Sequence, residues 1–435
     1  MKFTRTVVAI SGLMAAAAAQ ADQGIFDVRS AYMGGTGVAG QRADAGIPLN
    51  PANLALPTDS EHFGLTVPVV GAVLNDPDNL RGQVNTVQNT DIDQITADIN
   101  TLQQAPSLEL SVPGGPYSGQ MSNLGNVAGQ LENTLKGDNG SQILVNGGVG
   151  LGLAVPGKNL GVGVDAKGSA SFVGTPQISG PDLELLQQMN AVFSKGYVTE
   201  ADRLQYPQLF SGSSLSPSNY HSTSSAHLVG LEQVEEGVSF AHQFALAGND
   251  QALAVGITPK ILQLKTYDYN QLLNSANGFN TSDLKNFART DSMFNVDAGL
   301  TWQANANWRA AAVVNNVISK SLTTVSGNHV DLDPKVTTGL TYNSKFFTWS
   351  LDADLTKQTD VGFNTDSQIV ATGVEFNAWN YIRLGLGYRH NLVSSAQRDL
   401  GTAGISTSLL GLNVGLALQA NRHETAGAVQ VSLEY

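Results

Sequence analysis

The run YMGGTGVAGQRADAGIPLNPANLAL contains Gly35-Thr36-Gly37-Val38-Ala39-Gly40, a G-x-G-x-x-G spacing. In a dinucleotide-binding enzyme that spacing builds a tight turn whose backbone approaches a pyrophosphate at the start of a helix. Such a turn must come after a buried strand and open a helix. Here the preceding DQGIFDVRSAYM is short and mixed, and Pro48 and Pro51 interrupt the stretch where the helix would run. The glycines are therefore expected to serve structure rather than a nucleotide. The seven histidines (His62, His221, His227, His242, His329, His390 and His423) are scattered. No H-E-x-x-H, G-x-S-x-G or metal-ligand spacing occurs. His221-Ser222 and His227 lie beside many serines, a proximity expected by chance. The expectation is a chain that is not an enzyme, with no catalytic, metal or cofactor-binding residues and no cofactor.

The elements that would position this segment begin at the amino terminus. Lys2 and Arg5 precede an apolar stretch from Val7 to Ala18, and Ala19-Gln20-Ala21 offers a small-residue cleavage site. That pattern reads as a secretory signal peptide over residues 1–21. The chain has 435 residues, with 46 Gly, 14% charged residues and no Cys, so no disulfide supports it after export. Its formal charge of −13, without a Lys/Arg stripe, argues against direct binding of nucleic acid. After residue 21 no apolar run approaches the length a spanning helix needs. An exported chain of this kind is either soluble or crosses a membrane as a closed barrel.

Alternation favours the barrel. Phe294, Val296, Ala298, Leu300 and Trp302 share one face, as do Phe347, Trp349, Leu351, Ala353 and Leu355. Ile382, Leu384, Leu386 and Tyr388 repeat the pattern, and so do Leu412, Val414, Leu416 and Leu418. Period two with one apolar face is strand periodicity, and segments of about ten residues, apolar outside and polar or glycine inside, mark a transmembrane barrel. A soluble β-sandwich also alternates, but glycine and charge on the inner face would make a poor sandwich core. Trp302, Trp308, Trp349 and Trp379 all fall near short turns, as an interfacial girdle requires. Strands are expected at 62–74, 146–156, 159–172, 226–246, 251–266, 291–303, 307–317, 335–345, 346–357, 367–377, 380–390, 402–410, 412–422 and 427–435. Fourteen is an even number, as single-chain bacterial barrels have. Short turns (PGKN, LAGND, QANAN, NSKFF, NAWN and Leu410) alternate with longer loops, which places both chain ends on the periplasmic side. Beyond Pro259 the apolar positions of 251–266 change phase to Leu262 and Leu264, so a bulge or kink is expected near Pro259-Lys260.

Loops 75–145 and 173–225 show helical spacing, at Ile92, Ile95, Ile99 and Leu102, at Met121, Leu124, Val127, Leu131 and Leu135, and at Leu185, Leu186, Met189 and Phe193. Such helices either cap the barrel mouth or gather an apolar ligand, or else pack on each other merely to avoid exposed surface. The final AVQVSLEY aligns Val429, Val431, Leu433 and Tyr435, resembling the insertion signal of outer-membrane barrels. The glycine-rich segment between leader and first strand, residues 22–58, is expected to thread the lumen as a plug. Glycine there permits close backbone approach and positive φ, and Asn50-Pro51-Ala52-Asn53 supplies a rigid turn. The remaining 59–435 forms the barrel with its outer loops.

MGGTGVA, with NPANLA about a dozen residues beyond it, resembles the amino terminus and NPA-containing hatch of FadL-like outer-membrane proteins, the long-chain fatty-acid transporter type. Within that superfamily the chain is most similar to the conjugal transfer TraF-like proteins. The motif match covers Tyr32 to Leu56, and Asn53 stands where Gly is expected in the transporters. The resemblance implies an all-β, 14-stranded antiparallel transmembrane β-barrel with an N-terminal lumen plug and helical extracellular loops. Gly34, Gly35, Gly37, Asn50, Pro51, Ala52 and Asn53 would be plug residues.

Two functions are expected as alternatives. One is passive uptake of hydrophobic small molecules through the plugged lumen in the outer membrane, with Asp165, Lys167, Asp297, Arg309, Asp352, Asp354, Glu375 and Arg383 facing inward. The other is a structural or interaction protein associated with conjugal transfer. Expected partners are outer-membrane lipid, the barrel-assembly machinery and a hydrophobic small-molecule ligand, with no direct nucleic acid. An apolar pocket beneath the long loops would favour uptake, and a sealed lumen the interaction role.

Overall fold

The computed structural model describes residues 26–58, 60–88, 92–211, 214–215, 222–246, 251–272, 283–359, 366–378, 381–393 and 399–435. The leader expected at 1–21, together with Trp379, His221 and most of the LAGND turn, lies outside the described residues.

Fourteen antiparallel strands close into one barrel. They are β1 (Gly64–Asn75), β2 (Ile143–Val155), β3 (Gly161–Gln177), β4 (Ser225–Ala245), β5 (Ala252–Leu272), β6 (Ala288–Gln303) and β7 (Trp308–Asn315). They continue as β8 (Lys335–Asn343), β9 (Phe347–Asp354), β10 (Ile369–Ala378), β11 (Ile382–Asn391), β12 (Asp399–Leu409), β13 (Leu412–Ala420) and β14 (Glu424–Glu434). Each has the period-two pattern. In β13, for example, Leu412, Val414, Leu416 and Leu418 are exposed on the outer face, and the alternate positions are buried. The barrel closes where β1 pairs with β14, from Gly64 opposite Glu434 to Asn75 opposite Glu424. Past the last strand, the carbonyl of Tyr435 accepts hydrogen bonds from the backbone of His62 and Phe63, at 2.7 and 2.6 Å.

The two ends of the barrel differ. One end carries the short turns, including a two-residue turn at Leu410 and Gly411, both with positive φ, the geometry that matches hairpin twist. The other carries the long loops. On that side β4 and β5 reach 21 residues each, about twice what a tilted strand needs to cross a bilayer, so the wall between β3 and β6 rises well above the rest. Trp308 packs against Tyr342 and Trp349, with centroids 5.0 and 6.4 Å apart, and Tyr342 against Phe347 at 5.7 Å. This cluster lies at the turn end.

The bulge expected at Pro259-Lys260 is absent. β5 keeps one register with β4 on both sides of Pro259 and pairs with β6 without a break. The phase change has another cause: Leu262 and Leu264 point inward, with Lys260, onto an apolar patch inside the bore, while Ile257 and Ile261 stay outside. A register shift does occur in β1, between Thr66 and Val69, against both neighbours. Pro68, which lacks a ladder donor, sits within it.

The two longest loops fold into a helical cap. It comprises α-helices Leu80–Gln88, Ile92–Gln104, Ser107–Leu110, Ser118–Asp138, Gly180–Phe193 and Glu200–Gln205. Leu102, Leu110, Met121, Leu124, Val192, Phe193, Val198 and Leu209 form a core of their own there. The helices pack on one another around that core. A Cβ on Gly125 would lie 2.2 Å from the Ser194 nitrogen, so glycine is what lets helices 118–138 and 180–193 approach so closely.

Candidate functional site: the filled bore and its chamber

Residues 26–58 lie within the barrel, nearly all of them buried. Asp27 caps a short helix, Val28–Tyr32, by accepting from the Arg29 backbone. The chain then turns through Gly34 and Gly35, at φ 79° and 94°, a conformation that side chains with a Cβ disfavour. The Gly34 nitrogen donates to Thr402 Oγ1 at 2.9 Å. Asp352 Oδ2 of β9 accepts from the backbone of Gly37 at 2.7 Å and of Val38 at 2.9 Å. The glycine run thus presents its N–H groups to a carboxyl side chain of the barrel wall.

The NPAN turn is anchored in the same way. Asn50 Oδ1 accepts from the Ala52 backbone at 3.0 Å and caps the short 3-10 turn Pro51–Ala55. The side-chain amides of Asn50 and Asn53 both donate to the Val38 carbonyl, at 3.0 and 3.1 Å. Thr301 of β6 bridges them, accepting from Asn50 Nδ2 and donating to Asn53 Oδ1. Asn53, the departure from the expected glycine, is therefore a hydrogen-bonding residue of this turn. Gly34, Gly35, Gly37, Asn50, Pro51, Ala52 and Asn53 are all brought together in the bore, whereas Val429, Val431 and Leu433 lie apart from them on the outer face of β14, with Tyr435 just past its end.

Wall glycines make the fit possible. A Cβ on Gly385 would stand 1.9 Å from the Tyr32 ring, one on Gly373 2.3 Å from the Met33 carbonyl, and one on Gly256 2.5 Å from the Ala52 nitrogen. The inward glycines that alternate with apolar residues in the sequence are the contact surface for residues 26–58. Charge completes the fit: Arg29 pairs with Glu375 at 3.0 Å, and the Tyr32 hydroxyl donates to the same carboxylate. Arg42 meets Asp44 at 2.7 Å and Glu434 of the closing strand at 3.4 Å. Arg309 donates to the Leu56 carbonyl, and Arg383 lines a small cavity beside Arg29 and Arg42.

Towards the loop end the bore opens into a chamber of about 250 Å³. Its floor is Phe26. Lys167, Glu235 and Lys260 form one side, and Arg389 and Glu424 another. Glu235 accepts from Lys167 at 2.6 Å and from Lys260 at 3.1 Å, and Lys260 also reaches Asp297 at 2.9 Å. Asp165 lies 3.4 Å from Lys167, and Asp354 3.1 Å from Lys335. All eight charges expected to face inward do so. Glu235 and Lys260 were not among them; Glu235 shares its strand face with Ser239, and Lys260 shares its own with Thr258, all of them buried.

A third wall is apolar. Leu231, Leu262 and Leu264 project inward from β4 and β5 and are covered by a hairpin of Lys320–Thr323 and His329–Leu332 from the loop after β7. Alternation within loop 318–334 is too short to read from sequence. Two cavities of about 40 Å³ flank residues 26–58, one at Gly34, Gly35 and Asp352 and one at Arg42 and Arg383. Each has room for only a few waters.

In the cap, two carboxylates are perturbed in opposite directions. Burial raises the Asp138 carboxyl to about 6, helped by the charge of Asp76. Burial also acts on Asp202, but hydrogen bonds from Lys195 and Thr199 overcome it and hold this carboxyl below its ordinary range. Asp202 completes a capping box with Thr199.

Residues 48–354 match the family described as "F plasmid transfer operon, TraF, protein". No curated protein matches the chain. Among solved structures it is similar to the Ralstonia pickettii toluene transporter TbuX, with a TM-score of 0.48, 13% identity and coverage of 95% of this chain and 99% of that one. The P. putida toluene transporter TodX gives 0.47 and 12%, covering 94% and 98%. The monoaromatic hydrocarbon channel CymD gives 0.47 and 12%, covering 96% and 99%.

Proposed function

The chain belongs to the TraF family, and from that premise we propose that it is an outer-membrane barrel through which compact hydrophobic molecules enter, with residues 26–58 as the plug that governs release. The observation that carries this reading is the chamber of about 250 Å³, with its apolar wall, directly above the segment that fills the bore. Its volume is just under the roughly 300 Å³ at which drug-sized sites begin, which favours small solutes over long chains. The outward apolar band faces lipid, the aromatic cluster marks the periplasmic interface, and the strand ending in Val429, Val431, Leu433 and Tyr435 is the feature the assembly machinery reads.

The test is uptake of the apolar dye N-phenyl-1-naphthylamine by cells with an intact lipopolysaccharide leaflet. Expression of the chain should raise uptake, and Leu264→Arg, which places a charge in the chamber, should remove the gain while the barrel still folds. Uptake indifferent to expression would reject the reading.

The cap, with a core of its own, favours a second reading as an interaction component of a conjugal transfer apparatus. Plasmid transfer that falls with Phe193→Ala but is unchanged by Leu264→Arg would support it.

A further inference from the structure

The bore is polar or glycine-lined on most of its inner face, as a water-filled lumen should be. One exception is the group Leu231, Leu262 and Leu264, three inward leucines on adjacent strands, with Val229 and Met293 packed beside them. The hairpin 320–332 lies over them with one face apolar and the other polar. Leu322, Val330 and Leu332 are buried against the wall, whereas Ser321, His329 and Asp331 are exposed. Its two strands have four residues each, and a two-stranded ribbon of that length is marginal by itself. Its position therefore depends on what it touches.

Two attachments hold it. At its base, Asn295 of β6 accepts from the Ile318 backbone at 3.0 Å and donates to the Ile318 carbonyl at 2.9 Å. At its tip, Asp268 Oδ2 of β5 accepts from Thr324 Oγ1 and from Asn328 Nδ2, both at 2.8 Å. The other oxygen of Asp268 is 2.9 Å from His227 Nε2. The base is anchored to the backbone, and the tip rests on one carboxylate. Lys320, at the foot of the ribbon, also pairs with Asp291 at 3.3 Å; beyond it the contacts with the leucine wall are apolar and non-directional, so another apolar body could replace them.

We propose that Leu231, Leu262 and Leu264 form an apolar berth for a compact hydrocarbon-like molecule, and that the hairpin occupies this berth as a displaceable internal substitute clasped by Asp268. The inference deepens the uptake reading and rests on it for its biological meaning. An arriving apolar molecule takes over the leucine surface, the ribbon moves away about its base, and the adjoining chamber enlarges. The berth is largely covered when empty, so that only the edges of Leu231 and Leu264 reach the chamber.

The chain has no cysteine, so Val330→Cys provides a single thiol on the covered face of the hairpin. The full chain in nanodiscs is treated with a charged, water-soluble methanethiosulfonate, and the rate of modification is read with and without benzene. Modification should be slow at rest and at least several-fold faster with saturating benzene. Thr324→Ala with Asn328→Ala, two changes confined to the loop, should speed it about tenfold without ligand. Ser321→Cys, on the exposed face, should react quickly under every condition. A benzene effect that persists in Leu264→Arg would mark partition into lipid and overturn the proposal. So would a rate that benzene leaves unchanged, or a clasp variant that reacts no faster than its parent. Dye uptake is scored separately: chain-independent uptake with benzene-driven exposure would defeat the uptake reading and leave the berth standing.

Discussion

In the half of the bore nearest the short turns, the wall meets residues 26–58 at backbone contact, through Gly256, Gly373, Gly385 and their neighbours. In the half nearest the long loops, equivalent inward positions carry Lys167, Glu235, Lys260, Leu231 and Leu264, and about 250 Å³ stays open. The same alternation builds both walls, so side-chain size on the inner face decides whether backbone or solute occupies the lumen. Glycine admits a chain, and long charged residues paired with one another hold a space open. The cap is a third solution, filled by its own helices and independent of the barrel wall for its core.

If the cap is an independent body, Phe193→Ala should cost it about 3–5 kcal/mol, the range for emptying a buried Phe site. Protease sensitivity should then appear in residues 92–138 and 180–211 while the barrel keeps its resistance to heat and detergent. Loss of both together would join the two bodies. Next in size is the glycine contact. Gly385→Ala, which drives a Cβ into the Tyr32 ring, should weaken seating of residues 26–58 by up to about 3 kcal/mol. Gly168→Ala, whose nearest neighbour would be 3.7 Å away, should change little. Equal effects would remove the distinction drawn between glycines that meet the segment and those that do not.

Asp352→Ala leaves two N–H groups in the bore without their acceptor, at a cost of about 1–3 kcal/mol. Hydrogen exchange at Gly37 and Val38 should accelerate while chamber residues are unaffected. Smallest are the pH effects in the cap, and their signs oppose. Asp138 binds its proton more tightly when folded, so its contribution falls as pH rises from the ordinary carboxylate range through about 6. Asp138→Asn should therefore stabilise the end of helix 118–138 at neutral pH. Asp202 binds its proton more weakly when folded, so the capping box is intact above the ordinary carboxylate range and is lost as pH falls below it. Exchange at the Thr199 amide, measured through acid pH, reads the second effect, and protection unchanged by acid would refute it.

Strand positions and their number were readable because period-two alternation depends on nearest neighbours in the chain: a lipid-facing residue must be apolar whatever lies across the barrel. The inward charges at Asp165, Asp297, Asp352 and Glu375 were readable for the same reason, and the loop helices from their three- and four-residue spacing. Which inward residues meet was not, since Lys260 reaches Glu235 on one neighbouring strand and Asp297 on the other, and such partners depend on register. The phase change at Leu262 and Leu264 looked like a kink because its cause, a hairpin far downstream in the chain, leaves no local trace.

The amino-acid order alone settles the alternating strands, the apolar outer band, the glycine-rich segment and the absence of any catalytic motif, because each is a local pattern of size and polarity. Closure of the barrel, the Asp352 acceptor that the glycine run meets, the Thr301 bridge between Asn50 and Asn53, and the hairpin over the leucines were decided in three dimensions. Each joins residues far apart in the chain, and only the registers of fourteen paired strands bring their atoms within hydrogen-bond or van der Waals reach.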